Sequence, residues 1–380
     1  MRLLLLIMML CMAQPAWADE AMYRTQAPIA YLIDAHSGVV LLGKASDKRI
    51  PTASMAKMMT AYIAFEAIKS GRLDRQQKFA VHPQSWVKWN NRGSSMFLKA
   101  KQQVSVEDLL HGILTLSGND ASVVLAEGIS GSEKAFTREM NAAAERLGMR
   151  DSRFGTANGW PDKGGTFSTA RDLAVLAKRI IEDHPELFRE FFNQRSFRWN
   201  NIAQRNRNPL LGAVEGADGM KTGHSSEAGY CLVGTAQRGP RRLIMVVAGL
   251  PTTQSRVDEA RAMMRWGFDK WQEKPLFVEG QQVIKIPVQL GTDAAVEAIA
   301  AHKISMLGLK DAIAKPRLTM RYTEPLKAPL RKGETVGVLT VHYPDGLQQK
   351  FPLVAANDVH KANFIQRAWN GFMSLWSMAA

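Results

Sequence analysis

The stretch Pro51-Thr52-Ala53-Ser54-Met55-Ala56-Lys57 sets a serine and a lysine three positions apart, just before the apolar run Met58-Met59-Thr60-Ala61-Tyr62-Ile63-Ala64-Phe65. That run reads as a helix over 55–69, so Ser54 and Lys57 lie on one face and their side chains can touch. Ser54 falls in the first turn, where backbone N–H groups have no partner within the helix and one is free to hold a developing oxyanion. A serine hydroxyl attacks poorly unless a base takes its proton. Lys57, half buried and near other cations, has the environment that lowers a lysine pKa toward that task.

By itself such a pair is an ordinary helix contact, and two further stretches give it meaning. Leu116-Ser117-Gly118-Asn119-Asp120 lies between two helical patterns, one marked by Leu109, Leu110, Ile113 and Leu114 and the next by Val123, Val124 and Ala126. Ser117 and Asn119 therefore sit at a turn from which polar side chains project. Met220-Lys221-Thr222-Gly223-His224 opens a third region, followed by the strand-like runs Tyr230-Cys231-Leu232-Val233 and Arg242-Leu243-Ile244-Met245-Val246-Val247-Ala248. Consecutive antiparallel strands with a turn at Gly239-Pro240 account for it. Gly223, with no side chain, lets a substrate backbone come close.

Ser-x-x-Lys, Ser-x-Asn and Lys-Thr-Gly in this order resemble the penicillin-recognising serine enzymes. The run Ala30-Tyr31-Leu32-Ile33-Asp34, the segment Phe154-Gly155-Thr156-Ala157-Asn158-Gly159 and Ser168-Thr169-Ala170-Arg171-Asp172-Leu173 extend the likeness. Together they resemble the low-molecular-mass D-alanyl-D-alanine carboxypeptidases over roughly residues 25–275.

The chain opens with Met1-Arg2, a short apolar run from Leu3 to Met12, and Ala16-Trp17-Ala18 before Asp19. A basic start, an apolar stretch too short to span a bilayer and small residues at the end predict a secretory signal over 1–18. Cys11 is no lipoprotein site, since Leu10 before it is too bulky, and it leaves with the signal. Cys231 then stands alone in an apolar strand, as packing.

The 380 residues are 46% hydrophobic and 22% charged, with a formal net charge of +14. Arg2 is the only charged residue of the predicted signal, so the exported chain stays strongly basic. That balance suits anionic lipid or cell-wall polymer. The basic residues are dispersed and form no nucleic-acid module, so a nucleic-acid partner is not expected. The eight histidines and two cysteines show no metal-ligand spacing, and neither metal nor cofactor is predicted.

Two strand-like runs from Ala30 to Leu42 flank the turn His36-Ser37-Gly38 and join the later strands in one antiparallel sheet. Between them lie helical patterns at 55–69, 106–116, 120–129, 133–147 and 169–182, the fourth with Ser132 as N-cap and Gly148 as stop. The expected fold class is α/β (α+β), an antiparallel sheet flanked by helices plus a helical lobe, as the resemblance also implies. The cleft falls at the lobe boundary, with Ser54 on it, Ser117 on the helical side and Lys221 on the sheet side.

The resemblance implies acyl transfer on a D-Ala-D-Ala peptide. Lys57 takes the proton of Ser54, the N–H groups of Ser54 and His224 hold the oxyanion, D-alanine leaves, and water frees Ser54. Ser117, beside Lys57 or Lys221, carries the proton to the departing amine; Asn119 bonds the substrate amide or the Lys57 ammonium. The terminal carboxylate falls to Lys221 and Thr222, to Arg256 and, with less support from spacing, to Arg207 and the pair Ser94-Ser95. Peptidoglycan pentapeptide is the expected substrate and β-lactams the expected covalent inhibitors. The His224 side chain is not read as a base, because Lys57 already supplies one. A murein D,D-endopeptidase and a serine β-lactamase are the alternatives. No Glu-x-x-x-Asn arrangement supports the second.

Past Trp271 the pattern changes to alternating strands with Gly and Pro turns. A β-rich domain is expected over 275–358, after the enzyme domain at 19–274. From 359 to 380 a stripe of Phe364, Ile365, Ala368, Trp369, Phe372, Met373, Leu375 and Trp376 predicts an amphipathic helix. It is too short and one-sided to span, and lies on the membrane surface. The expected place is the periplasmic face of the inner membrane.

Overall fold

The computed structural model of the protein describes residues 23–310, 317–343 and 348–363. The predicted signal at 1–18 and residues 364–380 of the predicted terminal helix lie outside the described residues.

A five-stranded antiparallel sheet is built from both ends of the first domain: β1 (Ile29–Asp34), β2 (Val40–Lys44), β3 (Ala217–Ser225), β4 (Gly229–Arg238) and β5 (Arg241–Leu250). Its order is β2-β1-β5-β4-β3, which leaves β3 at an edge. The two tight turns fall where the sequence predicts. Asp34 accepts from the Ser37 backbone and hydroxyl, both at 2.8 Å, and Gly38 takes a φ of 75°; the β4–β5 turn is Gly239-Pro240. The central β5 is apolar from Leu243 to Ala248, because both of its faces are covered.

Helices fill the span between β2 and β3: α1 (Lys57–Lys69), α2 (Pro83–Trp89), α3 (Val106–Leu114), α4 (Asn119–Ser130), α5 (Glu133–Arg146), α6 (Ala170–Asp183) and α7 (Pro185–Phe192). Ser105, Ser132 and Thr169 cap α3, α5 and α6 by accepting from the N–H of the third residue on. α1 is buried on nearly every side, which explains why its apolar residues run without a polar stripe. One core joins α1, α3, α4 and α6 to one face of the sheet.

The opposite face is covered by α8 (Thr253–Lys270), a helix the sequence reading did not foresee. Its buried stripe is Arg256, Glu259, Ala260, Met263, Met264, Gly267 and Phe268, so charged and small residues break the apolar period at the positions that pack. The Thr252–Ser255 capping box starts it.

The chain then enters β6 (Trp271–Phe277), β7 (Gln282–Gln289), β8 (Ala295–Ala300), β9 (Ile304–Leu309), β10 (Arg317–Arg321), β11 (Leu326–Lys327), β12 (Thr335–His342) and β13 (Gln348–Ala355). A six-stranded sheet has the order β10-β12-β13-β8-β7-β11, and β6 pairs with β9. Ile286, Val296, Leu339 and Leu353 are among its core residues. Residues 359–363 do not begin a helix: Val359 bridges Leu330, Lys361 bridges Gly291, and Ala362 is buried. Backbone pairing to the β domain holds this segment extended, which corrects the expected start of the terminal helix.

Candidate active site

Ser54 lies in a 3-10 turn, Ala53–Ala56, that runs directly into α1. Ala53 takes a left-handed φ of 43°, a costly conformation for a residue with a Cβ. Gly159 lies against this turn at φ 72°, and a Cβ there would fall 1.8 Å from the Ala53 carbonyl oxygen. Gly223 of β3 closes from another side, where a Cβ would meet Thr52 O and Met55 Cγ at 3.1 Å. The nucleophile turn thus rests between two glycines, one of them on the sheet edge.

Lys57 is fully buried, and its Nζ has three partners: Ser54 Oγ at 3.0 Å, Asn119 Oδ1 at 2.8 Å and the Asn158 carbonyl at 2.8 Å. Two of the three are oxygens without a proton to give, so they take two N–H groups of the amine. A neutral amine has only two, and its lone pair then faces Ser54 Oγ. Burial pushes the Lys57 pKa well below the lysine range, and Lys221 adds repulsion while Asp120 opposes it. The helical fit thus yields a base.

Across the cleft Lys221 Nζ donates to Ser117 Oγ at 3.0 Å and to the Thr222 carbonyl at 3.3 Å. Burial, then Arg207 and Arg256, lower the Lys221 pKa to about 7. Ser117 holds a φ of 66°, in the turn between α3 and α4. The next acidic residue, Asp120, is buried and organises the facing loop: it accepts from Ser95 Oγ at 2.8 Å, the Met96 N–H at 2.9 Å and the Leu98 N–H at 3.2 Å.

That bond corrects one expectation. Ser95 is turned inward to Asp120, away from the cleft, and Ser94 lines it instead, with its hydroxyl accepting from Arg207 Nη1. The buried Asp120 carboxylate takes the Ser95 hydroxyl, and Ser94 is left facing the cleft. Arg207 lines the cleft with Thr222, Gly223, His224 and Arg256. Arg256 is 6% exposed, its Nε has no partner, and its guanidinium lies over the Tyr230 ring at 5.6 Å. The His224 ring packs on the same tyrosine with centroids 4.0 Å apart, away from any catalytic pairing. Ser54, Ser117 and Asn119 complete a cleft of about 670 Å³.

The cleft contains residues that sequence reasoning did not single out: Asn158, which feeds Lys57 through its carbonyl, and Trp160, Tyr230 and Thr253 in the wall. Asn158 and Gly159 stood in the sequence only within the segment that extends the family likeness, with nothing to tie them to Lys57. Nor did the sequence reading find Glu107, His111 and Glu190, whose ligand-type atoms lie within 4.8 Å of one another. Arg75 sits among them and bonds both Glu107 and Glu190, so a cation already occupies that cluster.

A serine served by a buried lysine, not a histidine, marks the penicillin-recognising serine enzymes, and that is the class this lobe, sheet edge and cleft define. The family described as D-alanyl-D-alanine carboxypeptidase matches residues 16–252, and the C-terminal domain of penicillin-binding protein 5 matches residues 271–361. The chain belongs to the D-alanyl-D-alanine carboxypeptidase family. It is 35% identical over 347 residues to D-alanyl-D-alanine carboxypeptidase DacC of Escherichia coli K12, covering 90% of this chain and 86% of that one. Penicillin-binding protein 5 of Haemophilus influenzae superposes with a TM-score of 0.74 at 34% identity, over 89% of this chain and 99% of that one. Penicillin-binding protein D2 of Listeria monocytogenes in its cefotaxime-bound form superposes at 0.59 and 32% identity, over 65% of this chain and 99% of that one.

Proposed function

We infer that the protein is a serine-type D-alanyl-D-alanine carboxypeptidase that removes the terminal D-alanine from peptidoglycan pentapeptide stems. The observation that carries this reading is Lys57 Nζ, 3.0 Å from Ser54 Oγ and held there by two carbonyl-type acceptors. Ser54 Oγ attacks the carbonyl carbon between the two D-alanines while its proton passes to Lys57. The Ser54 and His224 N–H groups receive the negative oxygen. The C–N bond breaks, and the Ser117–Lys221 pair returns a proton to the leaving amine. Water then attacks the acyl carbon and frees Ser54. Arg207, Arg256 and Thr222 take the free carboxylate of the substrate, which gives the enzyme its preference for chain ends. β-Lactams enter the same path and stop at the acyl-enzyme.

The cell-wall substrate places the enzyme outside the cytoplasm. We propose export by the signal at 1–18, an enzyme domain at 19–274, a β-rich domain at 275–358, and peripheral attachment to the inner membrane by the helix of the terminal segment. Among the described residues no helix is long and apolar enough to cross a membrane. Deleting residues 364–380 is expected to release the protein from anionic vesicles; full retention in a flotation assay contradicts the anchor.

The activity is tested by mass spectrometry of isolated pentapeptide muropeptides, monomeric and cross-linked, after incubation with the protein and with Ser54→Ala. Loss of one alanine from monomers, absent in the variant, is expected. Dimers converted to monomers without alanine loss would make the enzyme an endopeptidase.

A further inference from the structure

Cations that are dispersed along the chain are gathered by the fold at the mouth of the cleft. Residues 75–106 and 191–214 contain no Asp or Glu, and together they carry most of the positive excess of the chain. The second segment includes a hairpin of Ser196–Trp199 and Ile202–Arg205, and the hairpin is tied to the first. Asn200 Nδ2 donates to the Phe97 carbonyl at 3.3 Å, Gln102 Nε2 to Asn200 Oδ1 at 3.4 Å, and Gln204 Nε2 to the Ser95 carbonyl at 3.1 Å. Arg207, just after the hairpin, donates to Ser94, and both line the cleft.

We propose that this acid-free face is a docking surface for a polyanionic peptidoglycan strand, which holds the enzyme on the polymer while one stem enters the cleft. The inference rests on the carboxypeptidase reading and extends it from the stem to the strand.

The charges come first. Arg92, Lys99, Lys101, Arg198, Arg205 and Arg207 are exposed, and none forms an ion pair among the described residues. In the hairpin Ser196 pairs with Arg205 and Arg198 with Ala203, so the two arginines share one side. The other side carries Phe197 and Trp199, which pack on the helical lobe. Like charges gathered without counter-ions repel one another, and an anionic partner relieves that repulsion.

The partner follows from position. The face borders the cleft, so the polymer that presents a stem to Ser54 lies across it. Each uncut stem ends in the carboxylate that the cleft binds, and a strand with several stems is therefore a polyanion. Phe97 and Ile202, 41% and 43% exposed, stand on the two tied segments and offer apolar contact to the sugar rings between the charges. A lipid surface fits the position less well. The described chain ends on the β domain, which packs on α8 and the β1–β2 turn, whereas the basic face lies across the cleft from β3, at the other edge of the sheet.

The test compares D-alanine release from insoluble pentapeptide-rich peptidoglycan with release from a soluble disaccharide pentapeptide. Raising salt from about 0.05 M to about 0.2 M is expected to lower the rate on the polymer several-fold and the soluble rate far less. The variant Lys99→Ala/Lys101→Ala/Arg198→Ala/Arg205→Ala should lose about tenfold on the polymer and sediment with it less, at an unchanged soluble rate. Removing the same charge at Arg138, Arg146, Arg150 and Arg153, around α5 where Glu139 and Glu145 are interspersed, should leave both rates near those of the parent. Equal polymer rates in the parent and the first variant would overturn the docking surface. So would a first variant that loses binding to anionic vesicles and keeps the polymer, which would make the face a lipid surface. A parent whose polymer rate ignores salt would overturn it as well, whatever the fold of the variant. Absence of D-alanine release from the soluble substrate by the parent would instead contradict the carboxypeptidase reading.

Discussion

Lys57 works as a base because of what surrounds it more than because of where it falls in the helix. Burial removes water from the ammonium, and the nearby Lys221 repels it, so the proton is held weakly. The sign of the pH dependence follows. The neutral amine that accepts from Ser54 is present above the lowered pKa and is lost as pH falls through it, so Ser54 acylation falls on the acid side. Lys221 adds a second limb, since its proton is lost as pH rises through about 7 and the Ser117–Lys221 pair then has none to return to the leaving amine. kcat/KM for a D-Ala-D-Ala peptide is expected to trace a bell. A pH–rate series checks this, and a profile with no alkaline decline would contradict the role of Lys221.

Among the elements, the 3-10 turn of Ser54 shows how tightly backbone fit limits the site. Gly159→Ala would drive a methyl into the Ala53 carbonyl at a φ that suits glycine. It is expected to cut acylation by roughly a hundredfold or more, as small displacements of reacting groups do. Stopped-flow labelling with a fluorescent penicillin measures it, and a near-normal rate would contradict the packing. This contact was not legible in the sequence, because Gly159 and Ala53 lie far apart along the chain. The helices α1, α3, α4, α5 and α6 and the strands β1 to β5 were legible, since polar caps mark α3, α5 and α6, apolar runs mark α1 and α4, and tight turns mark the strand ends. α8 was not, because Arg256 and Glu259 occupy its packed face. The three motifs told where Ser54, Ser117 and Lys221 meet, but not that Ser95 would turn to Asp120. The Asp120 carboxylate that takes the Ser95 hydroxyl lies 25 residues further along the chain, and nothing in the serine pair marks it.

On the scale of the whole molecule, the β domain is attached through packing as well as through the chain. Met306, Leu307, Val341 and Tyr343 join Leu32, Leu41, Met263 and Phe268 in one buried cluster. Tyr343 donates to Gln349 Oε1 at 2.7 Å, and Gln349 Nε2 donates to the Ser37 carbonyl at 2.8 Å, in the β1–β2 turn of the enzyme domain. Tyr343→Ala removes a buried ring and is expected to cost about 3 kcal/mol. Calorimetry should show a lowered Tm while kcat/KM at 25 °C stays near that of the parent. A large loss of activity in folded protein would mean that the β domain acts on the cleft and not only on stability.

The most direct test of the account is intact-protein and peptide mass spectrometry after exposure to benzylpenicillin, comparing the protein with Lys57→Arg, whose guanidinium keeps its proton. The account predicts one penicilloyl adduct on the peptide that carries Ser54, and loss of that adduct in Lys57→Arg with the fold retained by circular dichroism. An adduct on another residue, or acylation of Lys57→Arg at the parent rate, would contradict it.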